Sequence, residues 1–399
     1  MKTGSHLFFF LIVCGVASGY ATAALGAVVA PPPNLNAKSF LLVDFDSGNT
    51  LAEKSTDMSF EPASLTKLMA AYVVDAEIQA GRLQRDEKVV ISDQAARMGF
   101  ARSGMQVSVE ELLKIVIVRS TNGATLALAE HIGGSEIAFA TLMNQYAHRL
   151  GMTRSHFTNS TGLSAPTHSM TARDLATLAR AIIRDFPESY AWYALKEYTS
   201  NGVTLTSRNK LLWIDPAVDG LKTGYAEGAG FSLVASAKKN GMRLISVVLG
   251  SSSEQARTDE SHSLLNYGFI AFETHRLYLG QQPLAETLVW KGEKKKLALG
   301  LMSDLYITIP RGQQKNLNAS LDLSKRIIAP ADKGQPFGSV KVKLGDRLYA
   351  EQSLVSLEPV AAGGQRYRRR PLRGRRFGPA GHAQGRRAVV AVELHGRGI

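Results

Sequence analysis

The stretch from Lys67 to Asp75 contains neither glycine nor proline and is mostly apolar. Such a run predicts a helix buried in the core of the fold. Ser64 precedes it by three residues and is therefore expected near the first turn of that helix. Because residues three apart share a helix face, the Lys67 amine should reach the Ser64 hydroxyl. The free NH groups and the positive dipole end of the helix stabilise an oxyanion that forms near Ser64. Ser64 is therefore a candidate nucleophile, and Lys67 is its candidate base.

The Ser-x-x-Lys pattern alone is weak because it occurs three times in the chain. Ser207 to Lys210 and Ser236 to Lys239 match it as well as Ser64 to Lys67. Most such pairs in proteins are helix caps or solvated strand faces. A catalytic interpretation therefore needs partner motifs elsewhere in the chain.

A first partner motif is Ser120-Thr121-Asn122. The stretch Ser108–Glu111 predicts a capping box, and a buried helix follows from Leu112 to about Arg119. Another helical pattern begins at Ala124. The motif is thus predicted in a short connection between buried helices, where it presents a hydroxyl and an amide to a cleft. In isolation, both residues would be interpreted as ordinary loop residues.

A second partner motif is Lys222-Thr223-Gly224. It precedes two strand patterns, Phe231–Ala237 and Arg243–Leu249, and Asn240-Gly241 between them is a strong hairpin signal. On a strand edge, Lys222 and Thr223 offer a cation and a hydroxyl to a substrate carboxylate. Gly224 removes a side chain and lets a ligand backbone approach. The alternative for Lys222 is a solvated strand lysine.

Both Ser47-Gly48-Asn49 and Ser207-Arg208-Asn209 also match the Ser-x-Asn pattern. The first lies between two strand patterns and predicts a hairpin turn. Only Ser64–Lys67, Ser120–Asn122 and Lys222–Gly224 form an ordered set at a helix start, a helix junction and a strand. That combination is far more specific than any of its members.

In this order the three motifs resemble those of low-molecular-weight penicillin-binding proteins, the serine-type D-alanyl-D-alanine carboxypeptidases. The resemblance runs from about Asn36 to about Pro359. It is supported by Glu61–Lys67, Ala129–Ile132, Asn159–Leu163, Thr171–Leu175, Val218–Gly224 and Leu233–Ala237.

The resemblance implies a role for each motif residue. Ser64 would attack the carbonyl between two terminal D-alanines and form an acyl-enzyme, with Lys67 as the proton acceptor. The pKa of Lys67 would be lowered by desolvation and by the nearby cation Lys222. Ser120 would relay the proton to the departing D-alanine. Asn122 would hold the substrate amide or the Lys67 amine.

The substrate-binding residues follow from the same resemblance. Lys222 and Thr223 would hold the terminal carboxylate, next to Gly224. The backbone NH groups of Ser64 and Tyr225 would be the oxyanion donors. Arg257 matches a family arginine near the carboxylate, although a surface helix arginine is an open alternative.

The implied reaction is hydrolysis of the acyl-enzyme, which trims one D-alanine from a peptidoglycan stem pentapeptide. β-Lactam antibiotics, the penicillins, are further expected ligands. No cofactor or metal is implied, since the chain has no Cys/His cluster of ligand spacing and its nine histidines are scattered. All nine are expected to be ordinary core or surface residues.

Two alternatives remain beside the carboxypeptidase. A β-lactamase would need a deacylating Glu followed by Leu-Asn between the second and third motifs, and the nearest match is Glu197–Asn201, with Ser before the Asn. A non-catalytic wall-binding protein would retain the fold without turnover. The intact set of catalytic positions favours the enzyme.

The N-terminus predicts export. Residues 1–27 have Lys2, a largely apolar run and a stretch of small residues, which together form a secretory signal peptide. Cys14, the only cysteine, lies within it, so the mature protein has none. Export without disulfides suits the periplasm, where a cell-wall substrate is available.

The rest of the chain is predicted to be α+β. Residues 36–283 should form a penicillin-binding/β-lactamase-like catalytic domain, with an antiparallel sheet and a helical cluster whose cleft is lined by the motifs. Residues 284–360 contain short strand patterns separated by turn residues, which predicts a small all-β domain. The resemblance implies that this second domain holds the catalytic domain at a distance from the membrane.

Residues 361–399 form an Arg/Gly-rich basic tail, predicted to be disordered. It holds ten Arg, one acid and no Lys, so 10 − 1 = +9 of the net charge of +13 lies there. Export, and the absence of a basic face in the remainder, argue against nucleic-acid binding. Relatives continue into an amphipathic helix on the outer face of the inner membrane, whereas this tail has no apolar stripe. Either a reading-frame shift or a basic tail that binds anionic lipids explains it.

Overall fold

The computed structural model describes residues 29–324, 326–363 and 389–391. The helices in these ranges are α1 (Thr66–Gln79), α2 (Asp93–Arg97), α3 (Val109–Val118), α4 (Asn122–Gly133), α5 (Glu136–Arg149), α6 (Ala172–Asp185), α7 (Pro187–Tyr190), α8 (Leu211–Ile214) and α9 (Glu254–Ala271). The 3₁₀ turns are Ala63–Leu65, Ala191–Ala194 and Gln314–Asn316.

The strands of the first domain are β1 (Ser39–Asp44), β2 (Thr50–Lys54), β3 (Lys88–Val90), β4 (Gln106–Ser108), β5 (Glu197–Ser200), β6 (Val203–Thr206), β7 (Val218–Ala226), β8 (Gly230–Lys239) and β9 (Met242–Ser251). The later strands are β10 (Phe272–Tyr278), β11 (Pro283–Trp290), β12 (Lys296–Gly300), β13 (Leu305–Pro310), β14 (Leu317–Leu323), β15 (Ile327–Ile328), β16 (Pro336–Leu344), β17 (Arg347–Ser356) and β18 (Val389–Ala391).

The first domain is built on an antiparallel sheet with the strand order β2-β1-β9-β8-β7. β8 and β9 form the predicted hairpin, and Asn240 and Gly241 in its turn both have positive φ, as this turn requires. β1 and β2 are joined by the turn predicted at Ser47–Asn49. β7 is an edge strand, so the Lys222–Gly224 motif lies at the sheet edge as predicted.

Both faces of this sheet are covered by helices. Alternate residues of a strand point to opposite faces. On β1, Leu41 and Val43 belong to the apolar core shared with α1 and α3 to α6. Phe40 and Leu42 instead pack with residues of α9. An antiparallel sheet with a helical cluster on one face confirms the predicted α+β class.

The junction of α3 and α4 differs slightly from the prediction. The Ser108 side chain accepts a hydrogen bond from the Glu111 backbone N at 3.3 Å, so the predicted cap is present. α3 ends at Val118. However, α4 begins at Asn122 rather than Ala124, so Asn122 belongs to the helix and Ser120 to the connection.

The second domain is rich in strands, as predicted. Its main sheet has the order β15-β11-β12-β17-β16-β14-β18. β10 begins before the predicted boundary at residue 283, yet it pairs with β13 and thus with the second domain. Within the tail predicted to be disordered, β18 pairs with β14. The other tail residues beyond Gly363, and the predicted signal peptide, lie outside the described residues.

Side-chain hydrogen bonds join the two domains at the end of β1. The Asp44 carboxylate accepts from Ser47 Oγ at 2.8 Å and from Thr274 Oγ1 of β10 at 2.7 Å. Ser47 Oγ lies 2.6 Å from Thr308 Oγ1 of β13. Asp44 is fully buried, so these donors compensate the loss of its hydration. The catalytic sheet is therefore fixed directly to the second domain.

Candidate active site

Ser64 lies in the 3₁₀ turn that leads into α1. The turn is closed by a hydrogen bond from Leu65 N to Pro62 O at 3.0 Å. Ala63 has a φ of +48°, a conformation that non-glycine residues rarely adopt. Ser64 is partly exposed, whereas its neighbours on both sides are buried. The fold thus presents one hydroxyl at the start of a buried helix.

Lys67 is one helical turn away and almost completely buried, with 1% of its surface exposed. Its Nζ lies 3.3 Å from Ser64 Oγ and donates to the Thr161 carbonyl at 2.5 Å. Burial and, to a smaller extent, the Arg208 charge lower the pKa of Lys67 to about 7, against an opposing effect of Glu136. A substantial fraction of Lys67 is therefore a neutral amine near neutral pH, as a general base must be.

The loop that holds Lys67 depends on Gly162. This residue has a φ of +84°, and a Cβ there would lie 1.8 Å from the Ala63 carbonyl oxygen. Ser160, two residues before Gly162, donates from its N and its Oγ to Glu136 at 3.0 and 2.6 Å. These contacts place the Thr161 carbonyl against the Lys67 amine.

His168 links the loop at Thr158 to the first residue of α1, Thr66. The Thr158 backbone N donates to His168 Nδ1 at 3.0 Å, and His168 Nε2 lies 2.8 Å from Thr66 Oγ1. Burial is the main cause that lowers the pKa of His168 to about 4. At neutral pH the ring is neutral, its proton lies on Nε2, and Nε2 donates to Thr66. His168 is thus a core histidine, in agreement with the expectation for all nine.

Ser120 and Asn122 lie where α3 meets α4. Ser120 has a φ of +67° and is 6% exposed. Its buried Oγ has no hydrogen-bond partner among the described residues. A buried hydroxyl without a partner is costly, so it is available to a bound group. Asn122, the first residue of α4, is partly buried.

The third motif lies on β7 and is buried rather than solvated. Lys222 and Thr223 are 4% and 5% exposed. The pKa of Lys222 lies well below its usual value because of burial and of repulsion by Lys67, Arg208 and Arg257. A negatively charged ligand would relieve this repulsion.

Gly224 lies against the turn that holds Ser64. A Cβ at this position would lie 2.9 Å from Pro62 O and 3.0 Å from Leu65 Cγ. The missing side chain thus lets β7 approach this turn closely. The predicted approach of a ligand backbone at Gly224 stays a prediction. This contact brings the first and third motifs together.

Arg257 is buried, so the alternative of a surface arginine does not apply. It is 5% exposed, and its Nη1 donates to the Gly224 carbonyl at 3.1 Å. The guanidinium lies 5.6 Å from the Phe231 ring centre, and its Nε has no partner among the described residues. Tyr225 is 55% exposed, with its ring 4.4 Å from that of Phe231.

Arg208 is a cation of the site that sequence analysis did not include. Its charge lowers the pKa of Lys67, Lys222 and Arg257. In the sequence it appears inside an unused Ser-x-Asn match and an unused Ser-x-x-Lys match, and neither indicates its position in the site. Together, Arg208, Lys222 and Arg257 form a positive pocket beside a serine and its amine. Such a pocket suits a substrate that ends in a carboxylate.

Comparison with known proteins agrees with this geometry. A family model described as D-alanyl-D-alanine carboxypeptidase matches residues 26–253, more than half of the chain. The chain belongs to the D-alanyl-D-alanine carboxypeptidase family. A model described as penicillin-binding protein 5, C-terminal domain, matches residues 272–362 of this carboxypeptidase.

Relatives and solved structures extend over both domains of this carboxypeptidase. D-alanyl-D-alanine carboxypeptidase DacC of Escherichia coli is 40% identical over 369 residues, which cover 88% of this chain and 92% of the relative. The crystal structure of penicillin-binding protein 5 from Haemophilus influenzae matches with a TM-score of 0.80 and 39% identity, covering 83% of this chain and 99% of that chain. Penicillin-binding protein D2 of Listeria monocytogenes in its cefotaxime-bound form matches at 0.55 and 28%, covering 60% and 100%.

These findings confirm the family, the fold and the function that the three motifs imply. This carboxypeptidase is a serine-type D-alanyl-D-alanine carboxypeptidase and a penicillin-binding protein. The stretch considered for a β-lactamase glutamate, Glu197–Asn201, contains the short strand β5. Among the residues that the structure describes, no group of three or more His, Cys, Asp or Glu side chains is placed to hold a metal ion.

Proposed function

We propose that Ser64 is the nucleophile of this carboxypeptidase and that neutral Lys67 is its base. The Ser64 Oγ attacks the carbonyl between the two D-alanines of a stem peptide while its proton passes to Lys67. The observation behind this assignment is the 3.3 Å separation of Nζ and Oγ, combined with a Lys67 pKa of about 7. An amine of ordinary pKa would be protonated and could not accept the proton.

The second motif supplies the proton for the leaving group, and water hydrolyses the ester. When the carbon–nitrogen bond breaks, the terminal D-alanine takes up a proton relayed through Ser120, whose buried Oγ is otherwise without a partner. The backbone NH groups of Ser64 and Tyr225 stabilise the oxyanion. Water then attacks the Ser64 ester, which releases the shortened peptide and restores the free serine.

Substrate selection is assigned to the positive pocket. The terminal carboxylate binds Lys222, Thr223 and Arg257, and it relieves the repulsion between Lys222 and Arg257. Asn122 holds the substrate amide or the Lys67 amine. Penicillins carry a carboxylate beside a strained amide and so fit the same pocket and the same nucleophile.

Release of D-alanine tests these assignments. Purified protein is incubated with a soluble peptide ending in D-alanyl-D-alanine, beside Ser64→Ala and the matched control Ser207→Ala from another Ser-x-x-Lys pair. We expect release from the wild type and from Ser207→Ala only. Equal release from Ser64→Ala would refute the nucleophile, and rapid turnover of a fluorescent penicillin would support the β-lactamase alternative.

We further propose that the mature protein is periplasmic and peripheral on the outer face of the inner membrane. The proposal rests on the signal peptide pattern of residues 1–27, on a mature chain without cysteine, and on the basic tail. A fusion to a reporter that is active only after export tests the first part. A fusion that is produced at normal levels but shows no reporter activity would refute it.

A further inference from the structure

The second domain exposes an apolar patch at the edge of its main sheet. Leu288 and Trp290 lie two residues apart on β11 and therefore share one face. Ile328 of the edge strand β15 is the register partner of Trp290. These three side chains, the Trp290 face, are 63%, 52% and 49% exposed. A cluster of large exposed apolar side chains indicates an interaction surface.

Three cations border the Trp290 face. The Arg326 guanidinium lies 4.7 Å from the Trp290 ring centre. Lys291 directly follows Trp290, and Lys295 lies in the same exposed turn between β11 and β12. In the described part of the chain, none of these three cations forms an ion pair with an acid. Their charge is therefore available to a negatively charged partner.

The remaining charges around the face are nearly balanced. Lys296 pairs with Glu286 at 2.7 Å, and Lys294 pairs with Glu358 at 2.5 Å. Among the described residues next to these pairs and to Trp290 there are five cations, Lys291, Lys294, Lys295, Lys296 and Arg326, and three acids, Glu286, Glu293 and Glu358. The excess among these residues is 5 − 3 = +2.

The basic tail is attached to the chain at this same edge. The Gly363 backbone N donates to the Lys291 carbonyl at 2.7 Å, and the Glu293 N donates to Ala361 O at 3.0 Å. The sequence then continues with Arg366, Arg368, Arg369, Arg370, Arg373, Arg375 and Arg376. A strongly basic segment of the sequence thus begins beside the Trp290 face.

We propose that the Trp290 face docks on a membrane surface containing anionic phospholipids. Tryptophan and aliphatic side chains bordered by Lys and Arg suit the boundary between headgroups and acyl chains. A second copy of this chain fits less well, because a two-fold contact would set Lys291, Lys295 and Arg326 against their own copies. The proposal rests on the proposed peripheral membrane location and adds that the folded domain, besides the tail, makes the contact.

Binding to lipid vesicles tests the docking directly. Full-length mature protein is sedimented with vesicles of phosphatidylglycerol and phosphatidylethanolamine, or of phosphatidylcholine alone. The double variant Trp290→Ser/Ile328→Ser is compared with Trp213→Ser, a matched change at a tryptophan of the first domain that is 44% exposed and has Lys210 6.0 Å from its ring centre. We expect the affinity of the double variant for the anionic vesicles to fall by at least about ten-fold. Trp213→Ser should bind like the wild type.

Tryptophan fluorescence locates the contact, since the chain has only Trp192, Trp213 and Trp290. On addition of anionic vesicles, the emission of the wild type and of Trp213→Phe should shift to the blue. The emission of Trp290→Phe should not. All variants should release D-alanine from a soluble peptide at the wild-type rate and keep the wild-type circular dichroism, which separates this proposal from the enzymatic one.

Two results would overturn the docking proposal. One is equal vesicle binding by the double variant and the wild type, which would assign binding to the tail alone. The other is a wild-type dimer in ultracentrifugation that becomes monomeric in the double variant without any change in vesicle binding, which would assign the face to a second copy.

Discussion

The Thr161 carbonyl oxygen lies 2.5 Å from Lys67 Nζ and accepts its hydrogen bond. A neutral amine has two hydrogens and one lone pair. Lys67 can therefore keep this contact after losing a proton and still direct its lone pair toward Ser64 Oγ, 3.3 Å away. Burial supplies the low pKa, and the loop around Thr161 supplies the orientation.

Lys67→Arg should abolish acylation while preserving a buried cation. A guanidinium remains protonated and cannot serve as a base. We expect the rate of labelling by a fluorescent penicillin to fall by about 10²- to 10⁴-fold. Lys210→Arg, in another Ser-x-x-Lys pair and exposed, should react like the wild type. Full labelling of Lys67→Arg would show that another group takes the proton.

The kcat/KM for D-alanine release should rise with pH through about 7, because the Lys67 ammonium loses its proton there. Glu136 raises the pKa of Lys67, so Glu136→Gln should move this acidic limb to lower pH. Glutamine retains an oxygen that can accept from Ser160. A lower rate with an unmoved limb would mean that Glu136 acts only on the loop.

Gly162→Ala should damage both stability and activity. The added Cβ would lie 1.8 Å from the Ala63 carbonyl oxygen, and φ at residue 162 is +84°. We expect the free energy of unfolding to fall by about 3 kcal/mol or more. Gly134→Ala is the control, because φ there is +72° but no atom lies within 4 Å, and it should cost about 1 kcal/mol. Equal thermal shifts for the two variants would contradict the close packing against Ala63.

Arg257→Gln should weaken selection of a free carboxylate. The loss of a charged hydrogen-bond donor near the terminal carboxylate should lower kcat/KM by about 10- to 100-fold for a peptide acid. A peptide whose terminus is an amide should be turned over poorly by wild type and variant alike. Arg276→Gln in the second domain, 52% exposed, is the control. An unchanged ratio between acid and amide would remove Arg257 from carboxylate binding.

Features that depend on residues close together in the sequence could be predicted from it. Ser64 and Lys67 meet because they are one helical turn apart, and Ser108 caps α3 because Glu111 follows it by three. Asn240 and Gly241 form the hairpin turn because both tolerate positive φ. These outcomes depend on local geometry alone.

Contacts between residues far apart in the sequence cannot be predicted from such local patterns. Lys67 meets Thr161 over 94 positions, and Thr66 meets His168 over 102. Asn159–Leu163 was recognised as a family-like stretch, but nothing in it shows that a carbonyl would hold the lysine. Arg208 lies in a segment without a distinctive pattern. The motifs predict that Lys222 repels the Lys67 ammonium, but they give no sign of Arg208, whose charge also lowers the pKa of Lys67.

The most direct test is mass spectrometry of the protein after brief exposure to penicillin. The intact mass should increase by that of one penicillin, and fragmentation of the tryptic peptide Ser55–Lys67 should place the adduct on Ser64 rather than on Ser55 or Ser59. Ser64→Ala should show no adduct. An adduct on any other residue, or one that forms equally in Ser64→Ala, would contradict the assignment of Ser64 as the nucleophile.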